Sequence, residues 1–135
     1  MRLYPPAHTL SRMALAEDSL GGMTVPRGAL VTISPYVTHR NPRLWPDPER
    51  FDPERFLPER AMGRPRFAYL PFGGGPRICI GNSFAMSEAL VIVAMVAQRY
   101  RLRRTAGTPP VEPVGRTTLR PKQGVWLSLS PRRAA

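Results

Sequence analysis

Phe72-Gly73-Gly74-Gly75-Pro76-Arg77-Ile78-Cys79-Ile80-Gly81 is the stretch on which the reading of this chain turns. It sets the single cysteine at the end of a glycine-rich run, just before the one strong helical pattern. Glycines 73, 74, 75 and 81 carry no Cβ, so the backbone can pass close to a flat partner and turn amide groups toward the sulfur. The helix start adds a dipole and unpaired N–H groups that favour negative charge on a nearby thiol. Other uses of such a loop stay open at this level. A lone cysteine is often a small buried hydrophobe, and a glycine run before a helix can cradle phosphate. The phosphate reading fails on spacing. Ile78 stands where GxGxxG needs its last glycine, and no Gly-Lys-Ser/Thr follows.

Downstream of the loop the pattern predicts a helix from about Asn82 to about Arg99, and residues 89–97 are apolar on every face of it. Such a helix expects to be surrounded, yet nine apolar residues fall well short of the roughly 20 that cross a bilayer. A basic cluster at 101–104, a proline-rich loop at 107–113 and an alternating strand at 124–130 complete the tail. Upstream, residues 35–71 hold eight prolines with Trp45, Phe51, Phe56, Phe67 and Tyr69 at irregular spacing. That combination predicts an ordered coil packed through its aromatics. The turns around Gly21-Gly22 and Gly28 lead into a β-branched strand at 29–34, a small hairpin, and Arg2-Leu3-Tyr4 before Pro5-Pro6 has the look of the last turn of a helix.

At 135 residues there is room for one modest domain, and 17 prolines with 11 glycines leave few long regular elements. The formal charge of +11 is almost all arginine, Lys122 being the only lysine, and it suits an acidic partner without naming one. A single cysteine excludes an internal disulfide and fits a reducing compartment. With neither a secretory h-region nor a membrane helix in the pattern, the expected location is cytoplasmic. His8 and His39 have no partner at metal-ligand spacing and are expected to be structural or surface residues.

A haem iron that activates dioxygen benefits from a soft, electron-rich thiolate, which gives the cysteine loop a second chemistry to serve. On that point the loop resembles the haem-binding signature of the cytochromes P-450, Phe-x-x-Gly-x-Arg-x-Cys-x-Gly, at Phe72, Gly75, Arg77, Cys79 and Gly81. Residues 45–56, ending in Pro53-Glu54-Arg55-Phe56, are similar to the family's meander and its Pro-Glu-Arg-Phe motif. Arg2 resembles the arginine of the family's Glu-x-x-Arg helix, whose glutamate would fall two residues before Met1.

The resemblance implies a mainly α fold with small β parts (α+β), the C-terminal, proximal haem half of the P-450 fold. Its expected parts are a helix end with a small β region (1–34), the meander (35–71), the haem-binding cysteine loop (72–81), the long helix (82–99) and a C-terminal β region (100–135). Cys79 would ligate the iron of haem b. Arg77 and Arg12 would hold its propionates, with Phe72, Gly73 and Gly81 lining the ring. Residues 7–11 and the Thr117-Thr118 turn match segments that face substrate. The implied reaction inserts one oxygen atom of O2 into a small organic substrate. Electrons would come from NAD(P)H through a ferredoxin-type, flavodoxin-type or reductase donor, docked on Arg64, Arg66 and the arginines of 99–104.

The family's members are several times longer. The helix over the distal haem face and most of the substrate pocket have no counterpart here, and Arg2 and Arg55 would share the absent glutamate. The expectation is therefore a truncated chain, inactive by itself unless a companion chain supplies the rest. Two rivals remain: a noncatalytic haem-binding fragment, and a basic nucleic-acid-binding module supported by charge alone, with no nucleic acid as the expected outcome.

Overall fold

The computed structural model describes residues 1–132, a small α+β piece in which burial is concentrated in the first half. The strands come as antiparallel pairs, not as one sheet. β1 (Leu10–Met13) pairs with β4 (Leu30–Ile33), setting Leu10 opposite Ile33 and Arg12 opposite Val31. β2 (Asp18–Leu20) and β3 (Met23–Val25) form a hairpin inside that pair, turning at Gly21 and Gly22. The strand predicted at 29–34 thus belongs to a pair closed by β1, which the polar Ser11-Arg12 step conceals. The first nine residues carry no helical turn, against the expectation for Arg2 to Tyr4.

Residues 35–71 are mostly irregular, with three short turns. α1 (Pro35–Thr38) is capped by the Ser34 hydroxyl, which accepts from the Val37 N–H. A 3₁₀ turn at Pro53–Phe56 is capped by Asp52, whose carboxylate accepts from the Glu54 N–H, and α2 (Pro58–Ala61) follows it. Proline opens each of them, where its missing N–H costs nothing.

The core lies here. Trp45 is 1% exposed and its indole N–H donates to the Ala68 carbonyl at 3.1 Å. The Tyr69 ring packs 5.0 Å from Phe56 and 5.2 Å from His39, and Trp45 lies 6.0 Å from Phe56. Arg64 covers the cluster, its guanidinium 4.3 Å from the centre of the Trp45 ring. Of the five aromatics expected to pack, Phe51 stays exposed and Phe67 packs elsewhere.

α3 (Asn82–Arg99) follows the cysteine loop and runs straight into β5 (Tyr100–Arg104), which pairs with β8 (Leu127–Pro131). β6 (Pro113–Gly115) and β7 (Leu119–Pro121) form a hairpin between them. The 101–104 arginines are therefore strand residues, Arg101 opposite Ser130 and Arg103 opposite Ser128, with Leu102 facing the other way against Leu129. Among the described residues no helix is long and apolar enough to cross a membrane.

Candidate functional site

The loop at 72–81 is closed by its own backbone. The Cys79 N–H donates to the Phe72 carbonyl at 3.0 Å, and a 3₁₀ turn at Gly75–Arg77 fills the interval. The Asn82 N–H then donates to the Cys79 carbonyl at 3.3 Å, so the cysteine leads directly into the first turn of α3. Gly73 adopts φ +74°, a left-handed conformation other residues avoid, and a Cβ there would lie 3.5 Å from Leu10. At Gly74 a Cβ would come within 2.7 Å of the Phe67 ring. Glycine thus lets β1 and Phe67 press against the outside of the loop.

The thiol itself is exposed, as are Ile78, Ile80 and Phe84 around it. Arg77 is exposed too, and no carboxylate among the described residues pairs with it. A cleft of about 450 Å³ beside the loop is lined by Tyr69, Leu70, Phe72, Gly73, Ile78 and Met86. An exposed soft sulfur, a backbone kept free of Cβ atoms, a free cation and uncovered apolar side chains make a donor set and surface that fit an anionic, flat, largely apolar iron macrocycle.

Of the other residues singled out in the sequence, Arg12 shares a strand face with Leu10, the residue touching Gly73, and its Nη1 donates to the Ser11 carbonyl at 2.8 Å. The 7–11 and 117–118 segments come together: the Leu119 N–H donates to the Pro6 carbonyl at 2.8 Å, and the His8 ring lies against Gly115. His39 is fully buried and hydrogen-bonded, the structural one of the two roles expected for it. Phe67 was among the aromatics expected to pack, whereas Leu10, the side chain at Gly73, was silent, since a generic apolar residue carries no motif.

Arg2 and Arg55 are both buried. Arg2 donates to the carbonyls of His39 and Arg50 at 2.8 and 2.9 Å. Arg55 donates to the carbonyls of Pro46 and Asp47 at 2.6 and 2.8 Å. Asp47 reaches its place with φ +49°, which an aspartate tolerates better than most residues. Among the described residues a carboxylate comes within 4 Å of only one of the two guanidinium groups: Asp52 lies 3.8 Å from Arg55 Nε, a nitrogen left without a hydrogen bond. Burial, and then the charges of Arg55 and Arg40, hold the Arg2 guanidinium below its ordinary value. Two buried cations thus rest mainly on carbonyl oxygens.

The arginines offered as a docking face divide into two groups. Arg64 is half-buried over Trp45, and Arg66 stacks on Phe67, 5.2 Å from its centre. The strand arginines begin only after the 18 residues of α3, about 27 Å along the helix from the cysteine loop.

The Cytochrome P450 family profile matches residues 1–127. The chain belongs to that family. It is 49% identical over 108 residues to cyclooctat-9-en-7-ol 5-monooxygenase of Streptomyces melanosporofaciens, covering 80% of this chain and 24% of that one. It is 39% identical over 132 residues to cytochrome P450 4c3 of Drosophila melanogaster, covering 98% and 25%. Among solved structures, retinoic acid-bound cyanobacterial CYP120A1 superposes with a TM-score of 0.91 at 36% identity, over 97% of this chain and 30% of that one. The chain therefore spans about a quarter of the length of the curated relatives it matches.

Proposed function

We propose that this chain is the haem-thiolate half of a P450 monooxygenase, with Cys79 as the axial ligand to the iron of haem b. The observation that carries the reading is the exposed cysteine in a loop closed from Phe72 to Cys79 at the start of α3. When bound, and supplied with electrons from NAD(P)H through a redox partner, the haem activates dioxygen and one oxygen atom enters an organic substrate. The chain's own residues hold and shield the sulfur. The Phe72 carbonyl fixes the Cys79 amide, and Gly73 and Gly81 leave room for the ring. Arg77, with Arg12 from the neighbouring strand, offers positive charge to the propionates. Arg66, close to the loop through Phe67, is the better placed arginine for an acidic electron donor.

Catalysis belongs to this region joined to the remainder of the family's fold. Alone, the chain presents one wall of the haem site and is expected to bind haem without turnover. The exposure of Cys79 and of most of α3 favours this noncatalytic state for the isolated polypeptide. Electron paramagnetic resonance of the haem-reconstituted ferric protein tests the ligand. The wild type should give the anisotropic low-spin signal of thiolate coordination, and Cys79→Ser should lose it. A signal unchanged by Cys79→Ser would overturn the assignment, and substrate turnover by the chain alone would overturn the claim of inactivity.

A further inference from the structure

His39 closes α1 as its C-terminal cap and has no exposed surface. Both ring nitrogens are engaged. Nδ1 lies 3.1 Å from the Arg2 carbonyl oxygen, and Nε2 lies 3.0 Å from the Leu70 amide nitrogen. A carbonyl only accepts and an amide N–H only donates, so Nδ1 carries the proton and Nε2 offers its lone pair. One neutral tautomer satisfies both. The His39 carbonyl in turn accepts from Arg2 Nη1 at 2.8 Å. A single residue thereby joins the N-terminal segment, the proline-rich coil and the segment that enters the cysteine loop.

Leu70 passes that constraint on. Its carbonyl accepts the Gly73 N–H at 3.1 Å, the turn that opens the loop, and the Phe72 carbonyl accepts the Cys79 N–H at 3.0 Å. Tyr69, beside Leu70, packs its ring against the imidazole.

We propose that His39 is a positioning residue for the Cys79 loop, its neutral imidazole fixing where the chain enters the loop and so the placement of the sulfur. Its bearing on ligation rests on the haem-thiolate reading; the constraint itself needs no haem. Protonation would set a second N–H against the Leu70 N–H, replacing a bond with two opposed donors. The charged groups facing the ring, Arg2, Arg40 and the Met1 amine, whose value burial and Arg2 lower from 8.0, carry positive charge when protonated, and burial raises the Tyr69 phenol beside it. The neutral ring is the state these neighbours favour, and acid releases the latch.

Amide hydrogen exchange of the full chain, without haem, tests this from about pH 7.5 to about pH 5, a span that crosses the ordinary histidine range. Expressed as protection factors, Leu70, Gly73 and Cys79 should lose about fivefold to tenfold as the wild type is acidified. Protection of the Ala68 amide, bonded to Pro65 within the core, should fall less. His39→Gln keeps an acceptor and a donor but does not titrate, so its protection at the three amides should persist and stay flat with pH. His39→Leu should lose it at every pH. Wild-type protection at the three amides in His39→Leu, or a wild-type pH profile in His39→Gln, would overturn the proposal. Should His39→Leu fail to fold, the Gln comparison decides alone. A chain that never bound haem would leave this result untouched.

Discussion

Residues 1–70 and residues 71–132 treat their apolar side chains oppositely. Every buried residue among those described, from Arg2 to Leu70, lies in the first region, although that region is mostly coil. The second has the longest helix and two strand pairs, yet buries none of its described residues. Ile92, in the middle of α3, is 54% exposed while Trp45 is 1% exposed. Regular secondary structure and a core are thus separate achievements here. The proline-rich coil is held by aromatic packing and arginine–carbonyl bonds within reach of each other, whereas α3 offers apolar surface and most of its residues stay exposed.

The sharpest way to break this contrast is truncation in each region. Trp45→Ala should cost about 3–5 kcal/mol in urea denaturation. Ile92→Ala should stay within about 0.5 kcal/mol. Equal costs would mean that α3 is covered in solution and that the contrast is false.

A gain is expected where the first region lacks a carboxylate. Lengthening the chain N-terminally by a helical turn, with glutamate two positions before Met1 as the Glu-x-x-Arg motif has it, should stabilise by about 1.5–3 kcal/mol relative to glutamine there. Identical melting of the two extended chains would show that the carbonyl oxygens around Arg2 and Arg55 already suffice.

Acid should loosen the first region before the second. Burial foremost, with the Arg2, Met1 and Arg40 charges, lowers the His39 value from 6.5, against the opposing bond to the Arg2 carbonyl. With the folded value below the unfolded one, the neutral ring's contribution is complete above about pH 6.5 and is lost as pH falls toward the folded value. The slope should not exceed about 1.4 kcal/mol per pH unit and should vanish in His39→Gln, as urea midpoints across that range would register. The smallest effect belongs to the surface. Glu49, 69% exposed in its pair with Arg40, should contribute about 0.2–1 kcal/mol, read as the midpoint shift of Glu49→Gln at low and high salt.

The family was legible at the cysteine loop, because Phe72, Gly75, Arg77, Cys79 and Gly81 stand at the fixed steps of its signature. α3 was legible from its unbroken apolar run. What stayed hidden depends on long-range partners. β1 and β5 are strands because β4 and β8 lie beside them, and their arginines mask the alternation. Arg2 to Tyr4 had the look of a helix end because Pro5-Pro6 breaks the chain after them, and a proline break does not by itself require a helix before it. His39 was expected to be structural or surface and is structural, but its partners stayed hidden because they stand 37 residues before it and 31 after it.

The claim at the centre of this account is that Cys79 is built to hold iron through a thiolate. The most direct measurement is the absorption spectrum of the reduced, haem-reconstituted chain under carbon monoxide. The account predicts the red-shifted Soret band of a thiolate-ligated carbonyl complex in the wild type and its absence in Cys79→Ser; an imidazole-type band of equal intensity in both would contradict it.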